Sequence, residues 1–157
     1  MTTETAALHP RPVPEALDLV TRAPRGLLAL GIPRCGACML LPPSLAEIRR
    51  ARPDLTIAIG EFATPEDWRE RERLLWPRGI HVSRSSVPAL ALLVGGVVVA
   101  SRPGGGPAEA IDRWLEHALG PAAQPLATGG VTPRELAALD AIASHIAHQR
   151  SVKWRRA

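Results

Sequence analysis

The chain holds two cysteines, Cys35 and Cys38, in the run Arg34-Cys35-Gly36-Ala37-Cys38. A pair at this spacing can be a redox-active disulfide, half of a metal site, or two buried thiols. Leu41, Leu45, Ile48 and Ala51 follow at helical spacing until Arg52-Pro53-Asp54 ends the pattern, so the pair stands at the start of a helix that Pro42 and Pro43 should kink. Residues at i and i+3 share a helix face, close enough for a disulfide after modest adjustment. Free amide N–H groups at a helix start favour an anion, which makes Cys35 the candidate nucleophile. Arg34 adds positive charge beside it. Cys38, a turn deeper, is the candidate resolving thiol, attacking the mixed disulfide that Cys35 forms with a substrate.

A structural zinc site needs four ligands, and the chain has no further cysteine. His145 and His148 are at i and i+3, but they lie far along the chain and read as polar positions on a last helix. No metal and no cofactor is expected.

The elements that must position the pair follow from periodicity. Gly26 to Ile32 is a continuous apolar run, as in a strand covered on both faces, and it leads directly into the cysteines. Leu55 to Phe62 reads as a second buried strand. Thr64 as N-cap, Pro65 at the first helical position and acids in the first turn start a helix carrying Trp68 and Leu75 on one side. Two apolar strands joined at Gly95-Gly96 make an antiparallel hairpin. A glycine-rich turn and Pro107 introduce a helix with Ile111, Trp114, Leu115 and Leu119 on one face. Alternating helices and strands predict an α/β layer structure, parallel in its first part and antiparallel in its last.

At 157 residues the chain suits one domain. Residues 1–14 read as a loose, proline-rich arm before an amphipathic helix over Pro14 to Arg22. Residues 15–120 form the domain, 121–132 a linker, and 133–157 a last helix with a basic tail. The core must be aliphatic, since Tyr is absent and Phe62 is the one phenylalanine. The net charge of +4 comes from arginine, with Lys153 the only lysine, and part of it sits at the C-terminus. That pattern argues against a nucleic-acid grip. The first residues lack a basic start followed by an apolar stretch, so no secretory signal is expected. The longest apolar run is too short to span a bilayer. A cytoplasmic location follows, where a C-x-x-C is catalytic or metal-binding rather than a staple.

From Gly26 to Gly120 the chain resembles the thioredoxin family. The resemblance rests on the apolar strand running into Cys-Gly-Ala-Cys, on Pro43 five residues after Cys38, on Asp54-Leu-Thr-Ile-Ala-Ile59 as a central strand, and on the run from Ser86 to Gly105. It implies a thioredoxin-like three-layer sandwich with a central mixed sheet flanked by helices. It also implies a cis bond at Val87-Pro88 facing the cysteines, with the Val87 backbone pairing with an extended substrate peptide. Cys35 and Cys38 would be catalytic, with Arg34, Gly36 and Ala37 forming the active-site loop. The partners would be protein thiol or disulfide substrates, with a thioredoxin reductase or another thiol donor as electron source.

The chain departs from the family pattern at several positions. Arg34 replaces the usual Trp, and Ala37 the usual Pro. The buried Asp that helps deprotonate the second cysteine aligns with Ala29, and its accompanying Lys with Ile59. Losing both together leaves no orphan charge in the core. Glu61, on the same strand face as Ile59, is the candidate replacement relay, acting through water. The segment between Glu66 and Ser86 is longer than in a minimal member, pointing to a specialised one. Couples of this kind span about −270 to −120 mV, and this one is expected to be more oxidising than thioredoxin's. The competing reading is a binding module or assembly chaperone on the same fold, with Trp68, Trp76 and the last helix as its surface.

Overall fold

The computed structural model describes residues 8–120. The linker and last helix expected over 121–157, with His145 and His148, lie outside the described residues. Five strands form one sheet: β1 (Pro10–Pro12), β2 (Arg25–Gly31), β3 (Thr56–Glu61), β4 (Ala89–Val94) and β5 (Val97–Pro103), in the order β1-β3-β2-β4-β5. β1 and β2 run parallel to β3, while β2–β4 and β4–β5 are antiparallel. The helices are α1 (Val13–Arg22), α2 (Gly36–Met39), α3 (Leu41–Ala51), α4 (Pro65–Leu74) and α5 (Ala108–Leu119). A single 3-10 turn, Trp76–Arg78, follows α4.

Alternation along the strands divides the core between the two sheet faces. Leu28, Leu30, Ala89, Ala91 and Leu93 pack with Val13, Ala16, Leu17 and Val20 of α1. Leu27, Ala29, Ile59, Leu90 and Leu92 pack with Leu41, Leu45 and Ile48 of α3 and with Ile111 and Leu115 of α5. These are the three layers expected from the sequence, and β2, covered on both faces, is the uninterrupted apolar run predicted there. α1 lies so close to β2 that a Cβ on Gly26 would stand 2.6 Å from the Val20 carbonyl oxygen.

Four details differ from expectation. Residues 10–14, read as part of a loose arm, form β1 and the start of α1. Proline cannot donate to a ladder, but on an edge strand it need not, and Pro10 and Pro12 flank Arg11 on the outer side of β3. With β1 in place, β2 rather than β3 is the middle strand. The helix after the cysteines is two segments meeting at Leu40, because Pro42 and Pro43 bring no N–H to the helical ladder. Ala51, assigned to the buried stripe, is exposed at the end of α3.

α4 starts as the sequence indicates. Thr64 caps it, its Oγ1 accepting from Asp67 N at 3.3 Å, and the Asp67 carboxylate accepts from the Ala63 and Thr64 N–H groups at 2.8 Å each. Among the described residues no helix is long and apolar enough to cross a membrane.

Candidate active site

β2 and β3 end side by side, with Gly31 opposite Glu61 and the Phe62 N–H donating to the Gly31 carbonyl at 3.0 Å. β4 runs the other way and begins at this end, with Ala89 opposite Leu30. The segments Ile32–Cys38, Phe62–Trp68 and Ser83–Pro88 therefore converge on one edge of the sheet. This is the C-terminal edge of its parallel strands.

Cys35 is the N-cap of α2 and Cys38 lies within it, their Cα atoms 5.1 Å apart and their sulfurs joined in a disulfide. The Cys35 Sγ also accepts from the Cys38 N–H at 3.1 Å, as a capping oxygen would. α2 is only four residues long, so little macrodipole accumulates. The Cys38 amide aimed at Sγ is a local group that favours negative charge there. Both cysteines are half-buried, and Arg34, Gly36 and Ala37 are exposed around them. Arg34 has φ +59°, a left-handed conformation that a non-glycine residue adopts at some cost.

A cleft of about 250 Å³ opens beside Cys38, with Gly31, Ile32, Arg34, Ile59 and Glu61 among its lining residues. Gly31 makes this room. A Cβ there would stand 3.1 Å from the Cys38 Sγ and 3.3 Å from its Cβ. Ala29 and Ile59, where an acid and a base were compared, are register partners, 0% and 6% exposed, on the α3 face of the sheet. Glu61 follows Ile59 by two residues on the same face, and its half-buried carboxylate shares the cleft wall with Cys38.

The Val87-Pro88 bond is cis, and Pro88 is buried. Its carbonyl accepts from Gly104 N at 2.6 Å. A Cβ on Gly105 would meet Leu41 Cδ2 at 2.6 Å and Pro88 Cγ at 3.5 Å, so the glycine turn, the proline and the start of α3 are in mutual contact. The turn, which closes the run that resembles the thioredoxin family, sets how near Pro88 comes to Leu41 at the start of α3.

The mixed sheet with this strand order, helices on both faces, a cysteine pair capping a helix after β2 and a cis-proline before β4 together decide the architecture. The chain has the thioredoxin fold. Its solved neighbours include thioredoxin f2 of Chlamydomonas reinhardtii, 15% identical at a TM-score of 0.53, covering 70% of this chain and 94% of that one. Thioredoxin O2 of Arabidopsis thaliana in its oxidised state is 19% identical at a TM-score of 0.53, covering 71% and 94%. Oxidised thioredoxin of Plasmodium falciparum is 14% identical at a TM-score of 0.52, covering 71% and 97%. No family model and no curated protein matches the chain.

Sequence reading had not singled out Gly31, and it took Gly105 only as part of a glycine turn. Gly31 is where the apolar run of β2 loses its side chain at the cysteine end. That was a visible signal, but nothing in the sequence says that the missing side chain would have met Cys38. Among the described residues no group of three or more His, Cys, Asp or Glu side chains could hold a metal ion.

Proposed function

We propose that this thioredoxin-fold protein is a thiol–disulfide oxidoreductase acting on protein substrates in the cytoplasm. The observation that carries the reading is the Cys35 sulfur at the N-cap of α2, taking the Cys38 N–H at 3.1 Å within a pair that forms a disulfide. In the reducing direction the Cys35 thiolate attacks one sulfur of a substrate disulfide. The substrate S–S bond breaks, and its other sulfur leaves as a thiolate and takes up a proton. Cys38 then loses its proton and attacks the Cys35 sulfur of the mixed disulfide, forming Cys35–Cys38 and releasing the second substrate thiolate. Two electrons pass to the substrate, and a thiol donor of the thioredoxin-reductase type, or a small thiol, restores the pair.

Glu61 is the proposed acceptor of the Cys38 proton through water in the cleft. What supports this is the shared cleft wall and the apolar pair Ala29 and Ile59, which leaves no ionisable side chain at the two positions beside it. Pro88 and the backbone of Val87 are the proposed wall of the peptide groove, with Arg34, Gly36 and Ala37 as the exposed loop facing it.

The test is a pair of variants. Cys35→Ser abolishes disulfide reduction, and Cys38→Ser accumulates mixed disulfides with thiol substrates, seen by non-reducing electrophoresis and mass analysis. If Cys38→Ser traps no partner while both variants remain folded, the fold serves binding instead, and Trp68 and Trp76 become the surfaces to examine.

A further inference from the structure

Trp68 of α4 stacks on Phe62, ring centroids 4.3 Å apart, and two guanidinium groups lie over the Trp68 ring. The Arg71 guanidinium carbon is 5.1 Å from its centroid and that of Arg84 5.3 Å. The two cations can be no farther apart than the sum of those distances. Among the described residues neither has a carboxylate partner, whereas their neighbours Arg69 and Arg73 pair with Glu66 at 4.0 Å and Glu70 at 3.3 Å. Helical spacing puts Asp67, at i−4, beside Arg71, but its Oδ2 takes the backbone N–H groups of both Ala63 and Thr64, and no Asp67–Arg71 ion pair forms. On the C-terminal side the positions at i+3 and i+4 from Arg71 are Leu74 and Leu75, which carry no charge. Its Nε is buried with no acceptor, the one such side-chain atom among the described residues. Buried donors are nearly always matched, so an unmatched one calls for an explanation.

Two like charges drawn to one aromatic ring repel each other, and the ring quadrupole offsets only part of this. A carboxylate set between them would remove the repulsion and take charge-assisted hydrogen bonds from both guanidinium groups. Arg84 stands three residues before Val87. Ile32, Trp68 and Val87 pack against the same core cluster, the one on the α1 side of the sheet. A chain advances about 3.3–3.6 Å per extended residue, so a peptide held at Val87 could present a side chain to Arg84 within a few residues of its reactive cysteine.

We propose that Arg71 and Arg84, seated on Trp68, form a carboxylate-binding subsite beside the exchange site. The preferred substrates would then be proteins with an Asp or Glu a few residues from the reactive disulfide. This rests on the thiol-exchange reading above for its meaning in turnover, but the subsite can be measured by binding alone. The probes are two synthetic peptides with one mixed disulfide each, identical except for Glu or Gln near the cysteine. They are given to the full chain at a series of ionic strengths.

The expected result is a kcat/KM about tenfold higher for the Glu peptide, a ratio that falls as salt rises. In Arg71→Gln/Arg84→Gln the ratio collapses to near one, with the rate on the Gln peptide unchanged. Arg84→Gln alone, at an exposed position, lowers the ratio too and decides the matter if the double variant is poorly folded. Equal rates for the two peptides in the natural protein would overturn the subsite, as would a preference that survives both substitutions. If neither peptide is reduced, the exchange reading fails. Anisotropy of the dye-labelled peptides then decides the subsite: tighter binding of the Glu peptide, lost in Arg84→Gln, upholds it, and equal binding refutes it.

Discussion

Gly31→Ala puts a methyl group where the cleft meets Cys38. Its Cβ would lie 3.1 Å from the Cys38 Sγ and 3.3 Å from the Cys38 Cβ, inside ordinary van der Waals contact on both counts. Sulfur must then give way by a few tenths of an ångström. In the reduced protein Cys38 can rotate its thiol aside, so the contact with Sγ relaxes, while the contact with Cβ is common to both redox forms and cancels. In the oxidised protein the sulfur is bonded to Cys35 and cannot rotate. The penalty thus falls on the disulfide form, at the lower end of the range for an added methyl in a packed site, about 1 kcal/mol. The stiffening of the unfolded chain by alanine acts on both redox forms and cancels in the couple. For a two-electron couple 1.4 kcal/mol corresponds to about 30 mV, so the reduction potential rises by about 20 mV, toward a stronger oxidant. Equilibration of natural and variant proteins in graded thiol buffers, with alkylation and mass readout of the reduced fraction, measures the difference directly. An unchanged potential, or one shifted in the reducing direction, would show that Cys38 is not held over Gly31 in the oxidised state.

Glu61→Gln keeps the shape of the cleft wall but removes the proposed proton acceptor. The resolving step, followed by quenched-flow release of a model thiol, should slow several-fold, while the first attack by Cys35 is unaffected. Equal resolving rates across the pH range would exclude Glu61 from the step. Thr64→Ala removes the oxygen that caps α4 and should cost about 1 kcal/mol in urea unfolding of the full chain. Arg34→Gly relieves a left-handed residue at φ +59° and should stabilise by about 0.5–1 kcal/mol, with loss of stability indicating that the Arg34 side chain makes a compensating contact. Gly26→Ala drives a methyl group into the Val20 backbone, which cannot rotate away, and should lower stability by about 2–3 kcal/mol, far more than Gly31→Ala, where the neighbour is a side chain.

The order of elements was legible because each carries its own local physics. β2 is apolar on both faces because helices cover both, so its run Leu27 to Leu30 has no polar interruption. α4 announces itself through Thr64, Pro65 and Asp67, whose cap is made within four residues. The Gly95-Gly96 turn needs positive φ at both positions and has it, at 58° and 81°. The cysteine pair is local in the same sense: a three-residue spacing at a helix start is a statement about one turn of backbone.

What tertiary structure decided is everything that depends on distance across the chain. Pro10 to Pro12 look like an arm until β3 offers an edge, because a proline-rich segment has too little local preference to declare itself a strand. Gly31 and Gly105 matter through what a side chain there would strike, Cys38 in one case and Leu41 with Pro88 in the other, and a sequence carries no such information. Asp67 could equally have paired with Arg71. Only the folded turn shows that its Oδ2 goes to the Ala63 and Thr64 amides, while the Arg71 guanidinium lies over Trp68, as that of Arg84 does. The sequence by itself determined which residues could do thiol chemistry and which elements hold them. The close approaches of α2, α3 and β3 around the cleft, and of Pro88 and Leu41 at Gly105, decided what surrounds that chemistry, since packing at van der Waals range is a property of the assembled layers and not of any stretch of chain.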